Sequence, residues 1–240
     1  MKVILPMAGR GQRYRNEGYS TPKPLIEVNG KPMVLHALQS LREVPFTQLI
    51  VVCLEETEAA HHVSGMLQPL FGSKLRLVTI PAVTEGQLCT VLEAKRFLAP
   101  ADEVLIMASD TYIVSGIGKD IAEKNMQCAG LISVAGLPGE QWSFARTDAN
   151  GKVIEVAEKK RISEHASTGL YYFTQAADLL HYGEEMIRNN ERTRGEFYVM
   201  PVYQKMIDAG KDIRLSEASE MWDLGTPESK SVFEAYLNGK

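Results

Sequence analysis

A short apolar run that stops abruptly in glycines and arginines opens this chain. Residues 2–7 read as a buried strand, and they break into Ala8-Gly9-Arg10-Gly11-Gln12-Arg13. Thr21-Pro22-Lys23-Pro24-Leu25 and Gly30-Lys31-Pro32-Met33 follow. Glycine lets backbone N–H groups close on anionic oxygens, and neighbouring cations neutralise them. A strand that empties into such a loop and then into a lysine fixed between two prolines is suited to holding polyphosphate.

Spacing removes two common phosphate loops. A dinucleotide fingerprint requires G-x-G-x-x-G, but counting from Gly9 the last position is Tyr14. A Walker A loop requires G-x-x-x-x-G-K-[ST], which follows neither Gly9 nor Gly11. A nicotinamide oxidoreductase, which needs the complete fingerprint and an acidic residue about 20 positions beyond it, is therefore disfavoured.

Along the chain, β-branched apolar runs alternate with segments of helical period, the pattern of a mostly parallel sheet covered by helices on both faces. Strands are expected over 2–7, 48–54, 75–80 and 104–107, with helices over 33–42, 56–70 and 87–98. A helix over 116–125 leads to strands over 129–135, 143–147 and 152–158, the last two joined by the hairpin turn Asn150-Gly151. Helices over 175–188, 195–209 and 228–237 complete the reading. The fold class is α/β, a Rossmann-like central sheet with a smaller, partly antiparallel second part. One domain over 1–240 is expected, divided into a nucleotide-binding part (1–127) and an acceptor-binding part (128–240).

Composition narrows the partners. With 240 residues, 45% of them hydrophobic, the chain can bury one substantial core. A net charge of −4 offers no general basic field for nucleic acid or an anionic membrane, so local cations must bind the substrate. Nothing approaches eighteen continuous apolar residues, and the first apolar run is too short for a signal peptide. Cys53, Cys89 and Cys128 lack C-x-x-C spacing and read as buried free thiols, which with the rest implies a cytoplasmic protein. His36, His61, His62, His165 and His181 lack metal-ligand spacing and read as surface or capping residues. Self-association leaves no signature in this composition and stays open.

The opening loop with Pro22-Lys23-Pro24-Leu25 resembles the sugar-phosphate nucleotidyltransferases. The likeness continues through Ser109-Asp110, Glu158-Lys159, Thr168-Gly169-Leu170-Tyr171-Tyr172-Phe173 and Trp222-Asp223-Leu224-Gly225-Thr226-Pro227. The resemblance implies a GT-A-like fold and in-line attack of an acceptor phosphate on the α-phosphorus of an NTP, with pyrophosphate leaving. Asp110, at the exposed end of its strand, would bind Mg²⁺ carried by the triphosphate, and by the resemblance Asp223 completes the metal site. In isolation, an Asp after a strand is more often a cap or turn residue.

Arg13 and Lys23 are assigned to the triphosphate, with Ala8, Gly9 and Gly11 supplying close backbone approach; Arg10 and Arg15 stay open between phosphate ligands and solvated charges. Thr84-Glu85-Gly86-Gln87 stands between a strand and a helix. Its amides could read the base edge or the α-phosphate, or Thr84 and Gln87 could form an ordinary capping box. The resemblance favours Gly86 as a base contact. On the acceptor side it pairs Lys159 with the acceptor phosphate, Glu158 with a hydroxyl or amine, and Gly169 with close substrate approach.

The acceptor itself is open. Trp142-Ser143-Phe144 stands where the family frequently has Tyr-Gly, and the connection 160–167 is short. The acceptor is a sugar 1-phosphate or, as in cytidylyltransferases of similar fold, a non-sugar metabolite such as a phosphocholine-like or phospho-amide compound for surface-glycan assembly. A non-catalytic nucleotide sensor is disfavoured because both carboxylates and both cations are present.

If Lys23 stabilises departing pyrophosphate, Lys23→Ala lowers kcat by roughly 10² or more in a pyrophosphate-release assay. A change confined to KM would mean uniform ground-state binding instead.

Overall fold

Strands 2–6, 48–54 and 104–107 are each buried along almost their whole length, which only a sheet covered on both faces allows. The computed structural model describes residues 1–239. Its strands are β1 (Lys2–Pro6), β2 (Glu27–Val28), β3 (Lys31–Pro32), β4 (Gln48–Leu54), β5 (Leu75–Ile80) and β6 (Val104–Met107). They continue with β7 (Thr111–Ser115), β8 (Cys128–Gly136), β9 (Ser143–Thr147), β10 (Val153–Glu158), β11 (His165–Phe173) and β12 (Asp212–Asp223).

The main sheet runs β5-β4-β1-β6-β11-β8-β12-β7, with β9 joined to β11 and β10 paired to β9. The β5-β4-β1-β6 block is parallel, with Lys2 opposite both Gln48 and Val104. β11 enters antiparallel between β6 and β8. β1 ends at Pro6, which has no N–H for the ladder. Because β1 and β6 are parallel and in register, the glycine loop after β1 and the Ser109-Asp110 segment after β6 emerge side by side at the C-terminal ends of the parallel strands.

Alternate side chains fill two cores. Ile4, Ile50, Val52 and Ile106 pack against Leu88, Leu179 and Val202 on one face. Val3, Leu5, Val51 and Met107 pack against Val34, Val63 and Ile117 on the other. Tyr171, Tyr172 and Phe173 fall alternately into the two, as a strand period of two requires. A third, smaller cluster of Tyr14, Ile26, Val28, Met33, Leu224 and Phe233 ties the N-terminal loops to the C-terminal helix Pro227–Asn238.

Several expected helices are shorter. The 56–70 segment is two helices, Glu55–His61 and Val63–Phe71, separated at His62 with φ 49°. The 33–42 and 87–98 segments begin as α-helix and continue in 3₁₀ turns. The 195–209 helix starts only at Met200, because Arg194 and Gly195 are left-handed and Phe197 bonds to the backbone of Glu85. Strands β2, β3, β7 and β12 were not expected. The alternation in β12 is irregular, and its register shifts between Ala218 and Glu220 as it leaves β8 for β7.

The Asn150-Gly151 hairpin forms as expected, closed by Asp148 Oδ1 accepting from the N–H groups of Asn150 and Lys152, each at 2.9 Å. Cys53 and Cys128 are buried, whereas Cys89 is half-buried. His36 is not a surface residue. It is buried with Nε2 2.8 Å from the carbonyl of Val28 and its ring edge-on to Phe233. Among the described residues no helix is long and apolar enough to cross a membrane.

Phe233 is fully buried and touches the rings of His36, Tyr112, Trp222 and Tyr236, so it holds the last helix onto the sheet end. Phe233→Ala is expected to cost about 3–5 kcal/mol of stability in urea unfolding. A loss below about 1 kcal/mol would show that the C-terminal helix is not anchored there.

Candidate active site

The irregular path of β12 has one consequence for chemistry: Asp223 pairs opposite Thr111, and the N–H of Leu224 donates to the carbonyl of Asp110 at 2.8 Å. Two carboxylates 113 positions apart in sequence are thereby placed together. A Cβ added at Gly225 would lie 2.8 Å from Asp223 Oδ1 and 3.5 Å from Asp110 Oδ2, so this glycine keeps the space between them clear. Asp223 also serves its turn, since its Oδ1 accepts from the N–H of Gly225 at 3.0 Å.

Lys23 pairs directly with Asp110 through Nζ and Oδ2, and both side chains retain 23% exposure. Burial pushes the Asp110 carboxyl up, but the Lys23 ammonium, aided by Arg13, outweighs it and holds the group below the usual carboxylate range. Asp223 goes the other way, raised first by burial and then by the Asp110 charge. Environment thus pushes two adjacent carboxyl groups apart, a pattern frequent at functional sites.

The loop that delivers Lys23 is packed onto the glycine segment. Gly11 has φ 63°, and a Cβ there would lie 2.9 Å from Lys23 Cβ, so a side chain is excluded on both conformational and steric grounds. Ala8 is buried, whereas nothing lies within 4 Å of a Cβ at Gly9 and Arg13 is exposed on the short helix Gln12–Asn16.

That helix also carries Tyr14, a residue that sequence reasoning did not single out. Its hydroxyl lies 2.8 Å from the carbonyl of Leu224 and 2.9 Å from that of Thr226, fastening the glycine loop to the segment that bears Asp223. Burial first, and then Asp223, push its phenol well up, so it acts as a neutral donor. No spacing rule marks a tyrosine for this.

The 84–87 segment does not form the capping box that was one of its two readings. Gly86 is the N-cap of the helix Gln87–Leu92 and has φ 147°, and no side chain caps it. Thr84 Oγ1 instead donates to the carbonyl of Gly86 at 2.9 Å. Gly86 is required by packing, because a Cβ there would lie 2.4 Å from the carbonyl oxygen of Phe197. Two backbone bonds, Phe197 N–H to Glu85 and Leu88 N–H to Phe197, both 3.0 Å, complete the junction. Glu85 pairs with Arg192, whose guanidinium lies 4.2 Å from the Phe197 ring centroid. The Arg192-Thr193-Arg194-Gly195 run is a legible basic turn that the sequence reading passed over.

Glu158 and Lys159 form a separate group at the end of β10. The Lys159 ammonium lies 3.2 Å from Glu158 Oε1, donates to the carbonyl of Gln141 at 2.7 Å and sits 5.3 Å from the Tyr198 ring centroid. Lys159 holds φ 57°, an uncommon conformation for a non-glycine residue. Gly169 connects the two groups. Its φ is 93°, its carbonyl accepts from Ala108 at 3.0 Å, and a Cβ there would lie 2.8 Å from Ala108 Cβ. The close approach at Gly169 is therefore made by the segment leading to Asp110.

Lys23, Asp110, Asp223 and Gly11 thus converge, with Arg13 near enough to act on Asp110. Glu85, Gly86 and Gln87 lie on the 197 junction, and Glu158 with Lys159 forms its own cluster. Among the described residues no three His, Cys, Asp or Glu side chains gather to hold a metal ion, and Asp110 and Asp223 stand together as a pair.

Alanine can adopt the backbone of Gly225, so Gly225→Ala is expected to fold with an unfolding midpoint near that of the unaltered chain. Its methyl group would displace the Asp223 carboxylate, and turnover should fall by roughly 10² or more. Normal turnover in that variant would show that the space between the carboxylates has no functional part.

Comparison with known proteins identifies the family. The chain is 24% identical over 212 residues to the bifunctional protein GlmU of Syntrophomonas wolfei, covering 83% of this chain and 44% of that protein. It is 26% identical over 231 residues to a glucose-1-phosphate thymidylyltransferase of Streptomyces antibioticus, covering 92% and 62%. It thus spans about half the length of the GlmU relatives it matches, 44% and 51% in two of them. A nucleoside-diphosphate-sugar pyrophosphorylase of Vibrio cholerae RC9 superposes with a TM-score of 0.83 at 27% identity, over 97% of this chain and 99% of that one. The pattern of the MobA-like NTP transferase domain matches residues 3–130, more than half of the chain, and the protein belongs to that family.

Proposed function

We propose that the chain transfers a nucleoside monophosphate from an NTP to a sugar 1-phosphate or a similarly phosphorylated metabolite, with Mg²⁺ and with release of pyrophosphate. The observation that carries this reading is the convergence of Lys23, Asp110 and Asp223 beside Gly225, where the glycine loop and the end of β6 emerge together. The family membership and the names of the thymidylyltransferase and pyrophosphorylase relatives support the same reaction class.

In this reading an acceptor phosphate oxygen attacks the α-phosphorus while the bond from that phosphorus to the bridging oxygen breaks. The acceptor is already an anion near neutral pH, since the second pKa of a phosphomonoester is about 6, and no general base is required. The work of the site is to bring two polyanions together and stabilise the leaving charge. Lys23 presents its ammonium to the departing pyrophosphate, Arg13 forks onto the β and γ oxygens, and Gly9 and Gly11 admit the phosphates to the backbone. Residues 1–127 hold the nucleotide, with Glu85–Gln87 beside the base, and residues 128–240 hold the acceptor through Glu158, Lys159 and the Gly169 strand.

Mg²⁺ fits the residues present. Asp110 and Asp223 form an all-oxygen pair, Gly225 leaves room beside them, and their mutual repulsion is what a cation relieves. Phosphate oxygens and water would complete the set, and the bound ion would neutralise charge building on the phosphates.

The test is pyrophosphate release with Mg²⁺, each of CTP, UTP, dTTP, GTP and ATP, and a panel of sugar 1-phosphates, phosphocholine-like and phospho-amide acceptors. Turnover with one pair is expected, and Asp110→Asn should abolish it while the fold is kept. Near-normal activity in Asp110→Asn would contradict the assignment of the carboxylates.

A further inference from the structure

Glu158 is the most deeply buried carboxylate of the acceptor-side cluster, with its side chain 2% exposed, and its two oxygens are treated differently. Oε2 accepts from the hydroxyl of Ser143, across the β9–β10 ladder where the two residues are paired. Oε1 is buried without a hydrogen-bond partner. The Lys159 ammonium lies 3.2 Å from it but makes no hydrogen bond to it, donating to the carbonyl of Gln141 instead. The buried Tyr171 hydroxyl stands beside Ser143 and Ser167, and its phenol is pushed up to about 12, first by burial and then by the Glu158 charge.

A buried carboxylate oxygen without a donor is costly, because the group keeps its desolvation penalty and gains no bond. Such an atom in a native protein calls for an explanation. The neighbouring cation supplies one. Lys159 is 23% exposed, so it can reach an arriving phosphate, and its departure would open Oε1.

We infer that Ser143 is a positioning residue that fixes Glu158 so that Oε1 alone receives the acceptor, with Lys159 covering that oxygen until the acceptor phosphate draws the ammonium away. This rests on the nucleotidyl-transfer reading and narrows the substrate class. The acceptor must carry both a phosphate for Lys159 and an O–H or N–H donor for Oε1.

The experiment measures KM for acceptor and for NTP separately. Ser143→Ala should raise the acceptor KM about tenfold or more, the size of a lost charge-assisted hydrogen bond, while the NTP KM stays within about twofold. Ser143→Thr, which keeps the hydroxyl, should restore most of the acceptor affinity. In the unaltered chain, an acceptor analogue with hydrogen in place of the donor should lose a similar factor, and Ser143→Ala should add little to that loss. An unchanged acceptor KM in Ser143→Ala, equal changes in both KM values, or indifference of the unaltered chain to the missing donor would overturn the inference. Absence of any turnover by the unaltered chain would instead overturn the transfer reading on which it rests.

Discussion

Two like charges held side by side are the constraint around which this molecule is arranged. Asp110 and Asp223 are brought together by backbone pairing between β7 and β12, and burial raises the electrostatic cost of that proximity. Lys23 offsets part of it by pairing with Asp110. The Tyr14 hydroxyl, the Gly11 contact with Lys23 and the aromatic packing around Phe233 then prevent the segments from drifting apart. A repulsive pair kept in place by the surrounding fold is what a cation and a polyanion can exploit.

The part proposed to hold the acceptor is built on the same sheet by a different device. β11 runs antiparallel beside β6, and at Gly169 it touches the segment leading to Asp110 with no side chain between them. The short distance along the sheet from this contact to Glu158 and Lys159 goes through β9, which bonds to β11 and to β10. In the proposed reaction this continuity would hold the two substrates in register, with positioning carried by strands.

Much of the architecture was legible because burial and period determine it. Apolar, β-branched runs identified β1, β4, β5 and β6, and Asn150-Gly151 identified the β9–β10 hairpin. What escaped were features that depend on distant partners. β12 changes neighbours mid-strand and so shows no clean alternation, and the helix at Met200 is delayed by a backbone junction with Glu85. At the site, Lys23, Asp110 and Asp223 could be named from local motifs, but their convergence could not be read from spacing. Tyr14 was invisible because its role lies in two carbonyls more than two hundred positions away. Gly86 and Gly169 were marked as substrate contacts, yet each also has a packing reason in Phe197 and Ala108.

Calorimetric titration of a non-hydrolysable analogue of the productive triphosphate, with and without Mg²⁺, into the unaltered chain and into Asp223→Asn, tests the central claim most directly. The account predicts that Mg²⁺ strengthens binding to the unaltered chain and that most of this gain is lost in Asp223→Asn. Binding that responds equally to Mg²⁺ in both proteins would contradict the claim that the paired carboxylates organise the site.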